Sequence, residues 1–278
     1  MRIRIVDAFT DRPYAGNPAG VCLLPPGPWP DEGWMQQVAA EVNQAETAFA
    51  RPTEAGTEVA EADWDLRWFT PAVEVNLCGH ATLATAHALR ADGAWATDGG
   101  RADVRFATRS GVLIANAGDG GSIVLDFPVA RPVAAAAPAE LAKALGVEPT
   151  EVHATGALGD LLVVVDSEEV VRGLEPDLAV LAELTVRENL RGVMVTAASS
   201  EYDFVSRFFA PGTGIAEDPV TGSAHTALAP YWAQRLGRER LTGFQASRRG
   251  GVVLVELHGD RVHLIGNAVT VIDGELTG

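Results

Sequence analysis

One short phrase occurs twice in the chain, 140 residues apart, and each copy ends in a small-residue turn that opens a helix. The first copy reads Arg67-Trp68-Phe69-Thr70-Pro71, followed by Cys78-Gly79-His80-Ala81. The second reads Arg207-Phe208-Phe209-Ala210-Pro211, followed by Thr221-Gly222-Ser223-Ala224. From Pro to Gly the spacing is 8 residues in one and 11 in the other, so the second copy carries a three-residue insertion. An echo at half-chain distance implies two structurally similar halves. Each half then offers one helix N-terminus, where unpaired backbone N–H groups favour an anion. Two such ends make a cleft suited to a small, negatively charged molecule.

At 278 residues the chain holds two domains of ordinary size. Its charge of −16, from 37 acidic and 21 basic side chains, repels phosphate backbones, and no basic stripe offsets it. Nucleic acid is excluded as a partner, and the cluster Arg235, Arg238 and Arg240 reads as a solvated helix end. No apolar run is long enough to cross a bilayer, and Met1 leads straight into an alternating, strand-like run, so we expect neither membrane span nor signal peptide. The two cysteines, Cys22 and Cys78, form no C-x-x-C pair, which argues against disulfide scaffolds and cysteine-rich zinc sites and for a reducing cytoplasm. Lys143 is the one lysine and lies in an amphipathic stretch with Pro138 in its first turn. A Schiff-base enzyme needs a desolvated lysine. Pyridoxal phosphate is therefore disfavoured, and without G-x-G-x-x-G, Walker A or H-E-x-x-H motifs we expect no cofactor and no metal.

Strands are expected at 2–9, 19–24, 47–51, 64–69, 103–108, 112–116 and 122–127 in the first half, with helices from Asp31 to about Val42 and from His80 to Arg90. The Pro- and Ala-rich stretch Pro128–Pro138 marks the crossing, giving domains 1–128 and 129–278, with the option that the final strands return to the first half. In the second half a helix is expected at 138–145, strands at 160–165, 192–197 and 203–209, and a helix opened by Ser223 as its N-cap and ended at Gly237. Pro230 predicts a kink or a tight segment in it. Three closing strands follow at 251–257, 261–265 and 268–272. Short strands around few helices without βαβ alternation indicate an α+β fold.

Aligning the halves further matches Asn43-Gln44-Ala45-Glu46-Thr47-Ala48-Phe49 with Asn189-Leu190-Arg191-Gly192-Val193-Met194-Val195. Glu46 then corresponds to Gly192, so one half supplies a carboxylate where the other supplies nothing. A cofactor-free racemase needs one base for each face of the substrate carbon. Cys78 offers a thiol, but its counterpart Thr221 is no base at neutral pH. A lone Glu46 can instead remove a proton and return it at another carbon on the same face, which is isomerisation. His80 and Asp218 can hydrogen-bond a substrate, and Ser223 with its helix N–H groups can hold a carboxylate. Against these stand blander roles: a helix-end surface charge for Glu46, a cap for His80 and Ser223, a solvated loop for Asp218, a small buried hydrophobe for Cys78, and packing for His87.

The chain resembles the phenazine-biosynthesis PhzF-like isomerase family, which shares the diaminopimelate epimerase fold. The matching pieces are Asp7-Ala8-Phe9 with Gly16-Asn17-Pro18, Glu46-Thr47-Ala48-Phe49, Phe69-Thr70-Pro71 with Leu77-Cys78-Gly79-His80-Ala81-Thr82-Leu83, and Glu217-Asp218-Pro219-Val220-Thr221-Gly222-Ser223-Ala224. They run in order along the whole chain. The resemblance implies two pseudo-symmetric tandem halves, each a β-sheet wrapped around a central helix, no cofactor, and often a homodimer. In the family's best-defined enzyme a glutamate shuttles a proton within trans-2,3-dihydro-3-hydroxyanthranilate, assisted by a histidine, an aspartate and a serine. By resemblance those roles fall to Glu46, His80, Asp218 and Ser223, with Asn17, Gly79, Gly222 and Ser223 as substrate-binding positions. Gln44-Ala45 departs from the Leu-Ser of many relatives and puts the support of the carboxylate in question. The expectation is an isomerase acting on a small carboxylated metabolite; the alternatives are an amino-acid or hydroxy-acid epimerase and a non-catalytic ligand-binding module.

Overall fold

The structure, a computed structural model, describes residues 1–53, 62–95 and 102–277. It divides into two compact units, Met1–Asp126 together with Ile265–Gly278, and Phe127–Leu264. Both are mixed sheets packed on few helices, an α+β architecture.

In the first unit β1 (Arg2–Ala8) pairs antiparallel with β2 (Asn17–Leu23). The helix α1 (Glu32–Val42) then carries the chain to β3 (Glu46–Pro52), which runs parallel to β2. Next, β4 (Trp64–Phe69) lies antiparallel to β3 and is followed by the short β5 (Glu74–Val75). After helix α2 (Gly79–Ala91), β6 (Asp103–Thr108) joins β4 in parallel, and β7 (Gly111–Ala117) and β8 (Ile123–Pro128) extend the sheet antiparallel. As expected, Asp31 caps α1, accepting from the Trp34 N–H at 3.1 Å. Asn43 ends the helix in the left-handed conformation that asparagine tolerates. Its inner face, Met35, Val38 and Ala39, packs on Cys22, Leu24, Phe49 and Phe69.

Nine of the thirteen residues of α2 are buried. A helix that is apolar or small all round must be enclosed, and its alanines at 81, 84, 86 and 88 let β1, β2, β3 and the last strand of the chain approach it closely. The sheet wraps this helix.

The second unit repeats the plan. It contains β9 (Val133–Ala134), α3 (Leu141–Leu145), β10 (Glu151–Ala154), β11 (Asp160–Val164), α4 (Glu168–Arg172), α5 (Leu178–Arg187), β12 (Gly192–Ala198), β13 (Phe204–Ala210), β14 (Ile215–Asp218), α6 (Gly222–Leu236), β15 (Arg240–Gln245), β16 (Gly251–His258) and β17 (Arg261–Gly266). The last strand, β18 (Ala268–Glu275), pairs antiparallel with β1 and so belongs to the first unit. The series β2-parallel-β3, β3-antiparallel-β4 and β4-parallel-β6 recurs as β11-parallel-β12, β12-antiparallel-β13 and β13-parallel-β15. Eleven of fifteen residues of α6 are buried, matching α2.

Two expectations need correction. Pro138 lies outside α3, which begins only at Leu141 behind a left-handed Glu140; the preceding turn is closed by the Leu141 N–H donating to the Pro138 carbonyl. Ser223 does not cap α6: Thr221 is the N-cap, and Ser223 is the second helical residue. Pro230 sits within α6 without ending it. It cannot donate to the Thr226 carbonyl one turn earlier, and the Ala130 N–H bonds that carbonyl instead, at 3.1 Å. Among the described residues no helix is long and apolar enough to cross a membrane, a statement that leaves β-barrels aside.

Candidate active site

In the first unit, Glu46 opens β3, opposite Ala19 of β2. Its Oε2 lies 3.3 Å from Nε2 of His80, the second residue of α2. The two side chains are only 13% and 6% exposed, so the pair is largely withdrawn from water. The other ring nitrogen, Nδ1, is 3.2 Å from Nδ2 of Asn17, the buried first residue of β2. An amide NH₂ can only donate, which makes Nδ1 the acceptor and leaves the imidazole proton on Nε2, beside the Glu46 carboxylate. Asn17 thereby sets the tautomer. Cys78 Sγ is 3.5 Å from the same Nδ1. Cys78 is the α2 N-cap but makes no side-chain cap bond, so that helix end lacks a side-chain acceptor.

The loop that delivers Asn17 is backbone-driven. Phe9 and Tyr14 adopt positive φ, and the Tyr14 N–H donates to the buried Asp7 carboxylate at 2.7 Å. Gly16 has φ +65°, and a Cβ there would sit 2.1 Å from the Ala8 carbonyl oxygen, so only glycine fits.

In the second unit the acidic pair is fully engaged. Glu217 takes a bidentate ion pair from Arg207, at 2.7 and 3.0 Å. The same pairing joins Arg67 to Glu74 in the first unit, so the repeated Arg of each phrase has the same job. Asp218 Oδ2 accepts from the Thr221 hydroxyl. Gln245, fully buried on β15, clamps this turn: its Oε1 accepts from the Thr221 N–H at 2.8 Å and its Nε2 donates to the Asp218 carbonyl at 2.7 Å. Gly222 follows as the first residue of α6. Ser223 Oγ accepts from Arg191 Nη1 at 2.9 Å. Arg191 in turn grips Asp160, whose side chain is fully buried, through both carboxylate oxygens, and lies over the Phe208 ring at 5.2 Å. Burial pushes the Asp160 carboxyl above its ordinary range, and the Arg191 guanidinium opposes that push.

His225 stands one turn below Thr221, fully buried. Its Nδ1 lies 2.8 Å from the Thr221 carbonyl and must donate to it, while Nε2 has no partner among the described residues. Protonation would add a buried charge and an unpaired donor, and burial accordingly lowers this histidine to about 4.

The correspondence between Glu46 and Gly192 holds in the strand register. Thr47 faces Phe69 across β3–β4, and Val193 faces Phe209 across β12–β13. Glu46 and Gly192 therefore occupy the same place in the two units. A Cβ at Gly192 would fall 2.4 Å from the Phe208 ring and 2.9 Å from the Phe209 carbonyl oxygen, so no side chain fits there.

A model of the PhzC-PhzF family, described as phenazine biosynthesis-like protein, matches residues 6–274. The chain belongs to this family. A Pseudomonas aeruginosa protein named as an uncharacterized isomerase is 48% identical over 271 residues, covering 98% of this chain and 96% of its own. The crystal structure of a PhzF-family phenazine biosynthesis protein from Enterococcus faecalis superposes with a TM-score of 0.88 at 39% identity, covering 99% of this chain and 98% of that one. A hydroxyproline epimerase from Agrobacterium vitis, at 14% identity and a TM-score of 0.63, covers 99% and 91%, and shares the fold. This PhzF-family chain is thus an isomerase, as its curated bacterial relatives are named.

Within the first unit Glu46, His80 and Asn17 lie together, with Gly79 between Cys78 and His80 in the chain. Ligand atoms of Glu46, Cys78 and His80 lie within 4.8 Å of one another, a set that could also hold a divalent ion. Within the second unit Asp218, Thr221 and Gln245 lie together, and separately Ser223, Arg191 and Asp160. Sequence reasoning missed Arg191, Asp160, Gln245 and His225. The signal for Arg191 was present: it is the charged residue just before Gly192, opposite Ala45 in the aligned halves. His87 is a packing residue, its Nε2 3.1 Å from the Thr270 hydroxyl and its basicity lowered by burial. Lys143 is exposed, its side chain 71% accessible. Burial pushes the Cys22 thiol up to about 12, consistent with inert core.

Proposed function

We propose that the chain moves a proton within a small carboxylated metabolite by single-carboxylate acid–base chemistry, with Glu46 taking the proton from one carbon and returning it to another on the same face. The observation that carries this reading is the asymmetry of the repeat: a largely buried carboxylate beside His80 in one unit, and Gly192 under the Phe208 ring at the equivalent place in the other. One base can serve one face. With Asn17 Nδ2 donating to Nδ1, the His80 proton lies on Nε2, where it can be given to a developing oxyanion. Asp218 and Ser223 are assigned to substrate contact, and Gly79 and Gly222 to the exposed helix-start N–H groups, on the resemblance and on the local geometry of each motif.

The test is exchange in D₂O. Wild-type protein and Glu46→Gln are incubated with a panel of cyclic hydroxy-dienes, including trans-2,3-dihydro-3-hydroxyanthranilate, and with amino and hydroxy acids, then read by mass spectrometry. General acid–base catalysis contributes about 10²–10⁴-fold, so Glu46→Gln should lose at least about 10²-fold while melting near the wild-type temperature. A folded Glu46→Gln protein with undiminished turnover removes Glu46 from the role.

A second reading, epimerisation, draws support from the Cys78 thiol 3.5 Å from His80 Nδ1, a placement that could supply a second base. Under isomerisation Cys78→Ala keeps most of the activity. Inversion at one carbon that disappears in Cys78→Ala would favour the epimerase.

A further inference from the structure

A second set of metal-ligating donors lies far in sequence from Glu46, on the hairpin β16–β17. The strands are joined by Gly259, at φ +66°, and Asp260. Val253, Val255, Val262 and Leu264 turn inward and are fully buried. The alternate positions Glu256, His258 and His263 therefore share the outer face. Their ligand atoms all lie within 4.8 Å of one another. The imidazole rings of His258 and His263 are 4.3 Å apart, and His258 Nε2 is 3.6 Å from Glu256 Oε2. The other carboxylate oxygen, Oε1, accepts from Arg240 at 2.9 Å, which fixes the carboxylate with Oε2 toward the histidines.

We propose that Glu256, His258 and His263 form a binding site for a borderline divalent transition-metal ion, Zn²⁺ being the reference case. Two neutral imidazoles and one carboxylate are the donor set such ions take, with water in the fourth position; Mg²⁺ and Ca²⁺ prefer all-oxygen sets. Metal–ligand bonds of about 2.0–2.1 Å put tetrahedral ligands roughly 3.3 Å apart, so the 3.6 Å between His258 Nε2 and Glu256 Oε2 needs only a small contraction. The frame is rigid at the point that matters. Both carbonyls of the turn are held, Gly259 by Arg131 Nη2 at 2.7 Å and Asp260 by the Val129 N–H at 2.9 Å. The bound ion ties β16 to β17 and stiffens the end of the second unit. This site is independent of the reading given to Glu46.

The experiment uses the full-length protein, freed of metal by chelator and dialysis. It is titrated with Zn²⁺ alone by calorimetry and with Co²⁺ by absorption spectroscopy. His258→Ala, His263→Ala, Glu256→Gln and Cys78→Ala are measured beside wild type, each checked by circular dichroism. The expected result is one Zn²⁺ per chain that each histidine variant weakens at least tenfold and Cys78→Ala leaves unchanged. Tetrahedral Co²⁺ bands should appear without a thiolate charge-transfer band, and Zn²⁺ should raise the Tm of wild type and Cys78→Ala more than that of either histidine variant. If two ions bind, because the Glu46, Cys78 and His80 set also takes one, His258→Ala must reduce the stoichiometry to one. Absence of Zn²⁺ binding, binding undiminished in both histidine variants, or binding abolished by Cys78→Ala overturns the proposal.

Discussion

His225 gives the second unit an acid-sensitive point one turn below Thr221, and the effect can be worked through. The ring donates from Nδ1 to the Thr221 carbonyl, is fully buried, and has no partner at Nε2 among the described residues. In the unfolded chain it titrates near 6.5; in the folded protein burial lowers it to about 4, against a smaller opposing pull from Asp218. Between those values the unfolded state binds a proton that the folded state does not, so folding stability falls as pH is lowered from about 6.5 and levels off below about 4. Multiplying the gap by 1.36 kcal/mol per pH unit gives a loss of about 3 kcal/mol. Other groups titrate in the same range, so the measurement must be differential. In His225→Asn the amide can keep a donor toward the Thr221 carbonyl while removing the titration; the smaller side chain costs stability by an amount that does not vary with pH. Urea denaturation of both proteins at half-unit steps from pH 4 to 8 gives ΔG for each. The wild-type-minus-variant difference should be flat above about 6.5 and fall by about 3 kcal/mol toward pH 4. A difference that stays flat across the whole range would refute the reasoning.

Arg191→Met should leave the buried Asp160 carboxylate without its cation and Ser223 without its donor; we expect a loss of about 3 kcal/mol by urea denaturation, and a raised KM if Ser223 contacts substrate. Arg191→Met with Asp160→Asn should be more stable than Arg191→Met alone, and a double-mutant cycle measures the coupling. Gly192→Ala should destabilise by about 1–3 kcal/mol, because its Cβ meets the Phe208 ring and the Phe209 carbonyl; a Tm equal to wild type would mean that this contact relaxes freely.

How much was legible in the sequence follows from what each feature depends on. Caps, turns and apolar periodicity are local, so α1 with its Asp31 cap, the helix after Cys78-Gly79, and the closing strands at 251–272 could be read directly. The edges of α3 and α6 could not. Serine at a helix start is a cap by default, yet the helix begins one residue earlier, at Gly222, and the Ser223 hydroxyl accepts from Arg191, 32 residues earlier in the chain. Likewise the Pro230 helix survives because Ala130, distant in sequence, bonds the carbonyl that proline frees. Both depend on a partner that only the fold supplies.

The same distinction applies to the candidate site. Glu46, His80, Asp218 and Ser223 carry chemistry in their own side chains and sit in repeated phrases, so the sequence could point at them. Asn17 was named as a binding position by resemblance, but its action on the His80 tautomer needed the 3.2 Å contact across 63 residues. Asp160 reaches Ser223 only through Arg191, and Gln245 bonds Asp218 and Thr221 from a strand that carries no motif. The comparison that survives both levels is Glu46 against Gly192. Aligned phrases propose it, the register of β3–β4 and β12–β13 reproduces it, and the Phe208 ring explains why the second unit cannot carry a base there. The single change Gly192→Glu should therefore yield a destabilised protein rather than an epimerase.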